Sequence, residues 1–177
     1  MNLARQQTAL LSLLKTGHAE NDDVYIQSVA ISAHLRMLRE IILAWRRYDI
    51  QRHCPLTATL LKKCARFEEL VSSFAAAPNL SPFPDQMAEA FLCQMSEQED
   101  PIITCIAQFE LFMTRVKLGD PGEYTVNWPA DPRTVIACVL QETPLSSLTL
   151  GEHFCMRISR RFEGLVQLSA LESNPAG

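Results

Sequence analysis

Proline placement sets the segmentation of this chain. Of its ten prolines, Pro55, Pro101 and Pro132 each stand at the head of an apolar-periodic stretch, and three more crowd the run PNLSPFP at 78–84. Proline has no N–H to donate and holds φ near about −65°, so a helix accepts it only in the first turn. Helices can therefore begin at these positions but cannot run through them. The chain has to fold as a succession of separate helices.

Between the breaks the apolar residues recur at helical spacing. Residues 2–16 read as a first helix, with Leu3, Gln7, Leu10, Leu11 and Leu14 near one face and Gly17 as its stop. A polar connection, 17–22, precedes a long helix capped by Asp22 or Asp23 and running to about Asp49. Its expected inner stripe is Ile31, Leu35, Leu38, Ile41, Ile42, Trp45 and Tyr48, with Arg36, Arg39, Arg46 and Arg47 mostly opposite. Two short helices follow, 56–63 and 66–77, the second burying Phe67, Leu70, Val71 and Phe74. After the extended crossing at 78–84, residues 85–97 turn Met87, Ala88, Phe91, Leu92 and Met95 inward. The last long helix opens at Pro101 and lines its core side with Ile102, Ile103, Ile106, Phe109, Met113 and Val116.

The periodicity changes at Gly119-Asp120-Pro121-Gly122, a turn signal. Glu123–Trp128 alternates as a strand, and Asp131-Pro132 caps a helix through Val135, Ile136, Val139 and Leu140. His153–Ser159 and Gly164–Leu168 read as two further strands, antiparallel across the Arg160–Glu163 turn. The expected fold class is mainly α: a helical bundle over 1–118, then a small α+β tail over 119–177 carrying a three-stranded antiparallel-type sheet.

Composition narrows the function classes. The chain is 47% apolar and 20% charged with a net charge of −4, enough to bury a core and unfavourable to a broad phosphate-binding surface. Six cysteines show neither C-x-x-C pairs nor metal-ligand spacing with histidine. The N-terminal MNLARQQTALL lacks the apolar run of a signal peptide, and no stretch reaches the ~18 apolar residues of a membrane span. A cytoplasmic protein with reduced thiols, Cys93, Cys105 and Cys138 among them in the core, is the resulting expectation, with no membrane partner.

No G-x-S-x-G, G-x-x-x-x-G-K or G-x-G-x-x-G motif is present. His53 and Cys54 are adjacent in sequence, which points their side chains apart on a regular element. The reading is therefore an interaction protein with no catalytic, cofactor or metal residues. Two basic clusters are candidate surfaces for an acidic partner. Arg36, Arg39, Arg46, Arg47, Arg52, Lys62, Lys63 and Arg66 concentrate much of the positive charge within thirty residues, and Arg157, Arg160 and Arg161 flank the expected sheet edge, where an extended peptide could add as a strand. Glu110, bordering an apolar stripe, is a candidate buried structural carboxylate, expected to pair with Arg39 or Arg36.

The run CPLTATLLKKCARFEELVSSFAAAPNLSPFPDQMAEAFLCQM (54–95), followed by DPIITCIAQFELFMTRV (100–116), resembles the N-terminal domain of the bufferin and methanobactin maturation partner proteins, a domain once labelled DNA-binding. The resemblance spans about residues 2–118. It rests on the proline-led helix, Phe67, the Asn79–Pro84 crossing, Phe91 and the Phe109-Glu110 pair. It implies a non-catalytic accessory subunit that partners a barrel-fold, multinuclear iron enzyme, a metalloenzyme that modifies cysteines of a ribosomally made peptide, and that helps hold the peptide's leader. The short tail departs from the longer members. The alternative is a DNA-binding transcriptional regulator using the basic stretch 36–66, with 56–63 and 66–77 as a helix-turn-helix pair; against it, Glu68 and Glu69 would repel phosphate.

Overall fold

A computed structural model describes residues 3–18, 23–77, 80–141, 143–151 and 153–170. Asn2, Asp22, most of the 17–22 connection and the first two residues of the 78–84 crossing lie outside them. Among the described residues the helices are α1 (Leu3–Thr16), α2 (Val24–Ala30), α3 (Ala33–His53), α4 (Pro55–Lys63), α5 (Phe67–Ala75), α6 (Pro84–Met95), α7 (Pro101–Lys117) and α8 (Pro132–Leu140). The strands are β1 (Tyr124–Trp128), β2 (Phe154–Ile158) and β3 (Val166–Ala170).

The helix starts follow the proline logic. Pro55, Pro84, Pro101 and Pro132 each occupy the first turn of a helix. Asp100 accepts from the Ile102 and Ile103 N–H groups at 2.9 and 3.2 Å, and Asp131 accepts from Arg133 N–H at 2.9 Å. The expected long second helix is instead two. Asp23 caps α2, the chain breaks at Ile31, and Ser32 starts α3 by accepting from Leu35 N–H at 3.1 Å. A serine side chain competing for backbone donors makes a new N-terminus where apolar periodicity alone continued.

The sheet is antiparallel in the order β1-β2-β3. Tyr124 pairs with Ile158 and Trp128 with Phe154; Phe154 pairs with Ala170 and Ile158 with Val166. β3 begins two residues later than expected, because Gly164 and Leu165, at φ of +70° and +69°, first make a tight turn.

Residues on both sides of position 118 share one hydrophobic core. Ile50, Leu60, Phe67, Phe74, Phe91, Met95 and Ile106 belong to the same buried cluster as Val126, Trp128, Val135, Val139 and Ile158. Phe74 meets Phe91 edge-on at 5.2 Å, and Phe109 meets Trp128 edge-on at 5.8 Å. A second, smaller cluster of Ala9, Leu13, Ile26 and Leu35 ties α1 and α2 to the N-terminal half of α3. On α1 the buried residues are thus Ala9 and Leu13, whereas Leu3 and Leu11 are exposed.

The largest departure is the orientation of α3. Of its expected inner stripe only Leu35 is buried and Ile42 half-buried, while Leu38, Ile41, Trp45 and Tyr48 face solvent, as does Ile31 just before the helix. Arg46 and Arg47 turn toward α5 instead and are half-buried. Arg46 donates to the Ala75 carbonyl at the end of α5, and Arg47 pairs with Glu68 at 2.6 Å and reaches the Ser72 hydroxyl at 3.4 Å. The last carbonyls of a helix need donors, and α3 supplies one from its arginine face.

Candidate interaction surfaces

The orientation of α3 splits the expected basic surface. Arg36, Arg39 and Arg46 line an open cleft of about 340 Å³ with Lys15 of α1 and a single acid, Glu40. Leu14, Ile42, Leu43, Ala75 and Ala76 supply its apolar lining. None of the three arginines makes an ion pair with a carboxylate among the described residues. Partial burial pulls the Arg46 pKa below its usual value, since desolvation disfavours the cation. The Arg39 guanidinium lies against Gly17, where an added Cβ would come within 2.2 Å of Nη1 and where φ is +80°. The positive φ favours glycine there, and the guanidinium packs against the end of α1. Lys15 lies outside the basic stretch in sequence, and a search for clustered charge passes over it.

The remaining candidates of that stretch are spent elsewhere. Lys62 donates to Gln51 at 2.7 Å and lies 5.2 Å from the Phe67 ring centre. Lys63 donates to the Cys138 and Gln141 carbonyls at the end of α8. Arg66 reaches Gln98 at 3.3 Å, and Arg52 is exposed on the opposite side of α3. Residues 36–66 therefore do not form one continuous basic face. In the α4–α5 pair, Phe67 at the start of α5 is buried and Glu68 and Glu69 are exposed.

The arginines assigned to the sheet edge also separate. Arg157 sits on β2, the central strand, not at an edge. Its Nε donates to Glu123 at 2.7 Å, its guanidinium stacks 5.1 Å from the Phe162 ring centre, and Nη1 reaches Gln167 at 3.3 Å. Arg160 and Arg161 are exposed in the turn before β3, which is an edge strand.

Glu110 is buried, but the expected arginine partner is replaced by backbone. Its two carboxylate oxygens accept from the Leu56 and Thr57 N–H groups, both at 2.9 Å, in the first turn of α4. The N-cap residue Cys54 makes no side-chain cap, so a carboxylate from α7 satisfies those donors and meets the positive end of the helix dipole. Burial still raises its pKa, with the two N–H groups working against the rise.

All six cysteines are free thiols. Cys105 and Cys138 are buried as expected, and Cys93 is half-buried. His53 faces Asp85 at 3.2 Å rather than Cys54. Among the described residues no group of three or more His, Cys, Asp or Glu is placed to hold a metal ion, and no helix is long and apolar enough to cross a membrane. Comparison with known proteins finds no matching family model, no matching curated protein and no matching solved structure.

Proposed function

We propose that this chain is a non-catalytic accessory subunit that grips an acidic segment of a protein partner in the α1/α3/α5 cleft. The carrying observation is the convergence of Arg36, Arg39 and Arg46 over an apolar floor. Guanidinium groups form bidentate bonds with carboxylates, and the apolar lining suits a segment that alternates acidic and apolar side chains. The resemblance over 2–118 supports a peptide-modifying iron metalloenzyme as that partner, with the leader of its peptide as a second source of acidic segments. The DNA-binding alternative is disfavoured, because Arg47, Lys62, Lys63 and Arg66 already serve contacts inside the fold.

The test is capture from native lysate, in moderate salt with nuclease present, comparing the unaltered chain with Arg36→Glu and Arg39→Gln. Recovery of a stoichiometric iron-containing protein by the unaltered chain, reduced roughly tenfold or more by either substitution, is the expected result. Equal recovery by all three chains, or retention of nucleic acid alone when nuclease is omitted, overturns the reading.

A further inference from the structure

The other side of α3 carries a surface that the cleft does not use. Leu38, Ile41, Trp45 and Tyr48 follow one another at spacings of three, four and three residues. That alternation is the 3.5-residue repeat of a helix seam that packs against another helix. All four are exposed, Trp45 by 64% and Tyr48 by 54%. Met37 and Ala44 beside them are exposed as well. Trp45 and Tyr48 meet edge-on at 6.1 Å, which holds the two rings as one ridge.

We propose that this seam joins two copies of the chain as an antiparallel α3–α3 dimer. Area and residue sizes favour a second copy. Exposed aromatic and aliphatic side chains of this size offer on the order of 500 Å² per copy, so pairing would bury roughly 1,000 Å² in total, the threshold of a specific interface. Setting the two-fold axis at the level of residue 43 brings Ile41 against Trp45 of the second copy and Leu38 against Tyr48. Each aromatic side chain thus meets an aliphatic one. Beyond the seam stand His34 at one end and Arg52 at the other, both exposed. A parallel pair would set Arg52 against Arg52, whereas the antiparallel pair sets it against His34 and opposes the two helix dipoles favourably. The acidic-segment clefts, on the opposite side of α3, stay open in both copies.

Sedimentation velocity of the full chain, from low to high micromolar, reads the association. The expected result is a dimer that dissociates on dilution. Trp45→Glu and Ile41→Glu should each weaken it by roughly a hundredfold while leaving helical circular dichroism and melting temperature unchanged, since both side chains are exposed. Leu38→Cys combined with Tyr48→Cys should form a covalent dimer under mild oxidation faster than either substitution alone, since the two positions face each other across the pair. A monomer across the whole range overturns the proposal, including one whose stripe instead captures a different protein. So does a dimer indifferent to Trp45→Glu and Ile41→Glu, and an associating Leu38→Cys/Tyr48→Cys chain that cross-links no faster than the single substitutions overturns the antiparallel arrangement. The cleft substitution Arg36→Glu should leave the dimer intact, which separates this test from that of the acidic-segment reading.

Discussion

The carboxylate of Glu110 accepts a hydrogen bond of 2.9 Å from the N–H of Thr57, fifty-three residues earlier in the chain, and so α7 caps α4. The second oxygen does the same for Leu56. Glutamine at 110 keeps one acceptor but turns an NH₂ donor toward the other N–H. Glu110→Gln should therefore cost about 1–3 kcal/mol of unfolding free energy, the usual penalty for an unsatisfied buried donor. A urea titration of both chains measures it, and equal midpoints would refute the capping role.

The same residue has a pH signature. Its folded pKa is raised, chiefly by burial, so the folded state binds its proton more tightly than the unfolded state. The contribution is then fully present below the unfolded carboxylate pKa and is lost as pH rises through the folded value. The difference in stability between the unaltered chain and Glu110→Gln should shift in that sense across the weakly acidic range. Melting curves at stepped pH would show it; a difference independent of pH would mean that Glu110 titrates alike in both states.

Sequence periodicity resolves which residues share a face but not which face is inside. On α5 and α6 the two questions have one answer: Phe67, Leu70, Val71 and Phe74, then Met87, Ala88, Phe91, Leu92 and Met95, are all buried as expected. On α3 an apolar stripe and an arginine stripe compete. Arg46 and Arg47 are drawn half-way in because α5 presents the Ala75 carbonyl, Ser72 and Glu68 to them. No local signal in α3 reports those acceptors. The cleft was half legible for the same reason: Arg36, Arg39 and Arg46 stood out as a cluster, while Lys15 joins them only through the packing of α1 on α3. The partners of Glu110 are backbone N–H groups, which carry no residue signature at all.

Ala65 holds a position that favours glycine. Its φ is +55°, and the Arg66 N–H bonds the Leu61 carbonyl at 2.9 Å while the Ala65 N–H bonds the Lys62 carbonyl at 3.0 Å. This is the Schellman ending of a helix with alanine in the left-handed place. The Cβ strains that conformation by roughly 1 kcal/mol. Ala65→Gly should release most of the strain and raise the melting temperature by a few degrees, net of glycine's greater unfolded-state entropy. A fall in melting temperature would show that α4 tolerates alanine there without strain.

Lys63 links the helical segment to the tail by donating to carbonyls at the end of α8, with Thr143 O a further 3.5 Å contact. A cation at a helix C-terminus opposes the negative end of the dipole, and its exposure limits the gain to about 1 kcal/mol at low salt. Lys63→Met keeps much of the apolar stem and removes the charge, so it should destabilise by that amount at low ionic strength and by less at high. Melting in a salt series distinguishes this from simple packing, which salt would leave unchanged.

The thiols should separate sharply in reactivity, because the thiolate is the reacting species and burial decides how much of it exists. Desolvation pushes the Cys105 thiol up to about 12, leaving almost no thiolate near neutral pH. Cys54 is pushed up further, first by burial and then by the neighbouring Glu110 carboxylate. Cys93 and Cys155 are half-buried and within reach of reagent. Brief alkylation of the native chain at mildly alkaline pH, followed by peptide mass mapping, should label Cys93 and Cys155 and spare Cys54 and Cys105. All four should react in denaturant. Glu110→Gln should then raise the native reactivity of Cys54 by removing the negative charge that disfavours its thiolate, an effect that labelling of Cys105 in the same sample controls for. Parallel increases at both positions would instead report a general loosening of the core around α4 and α7.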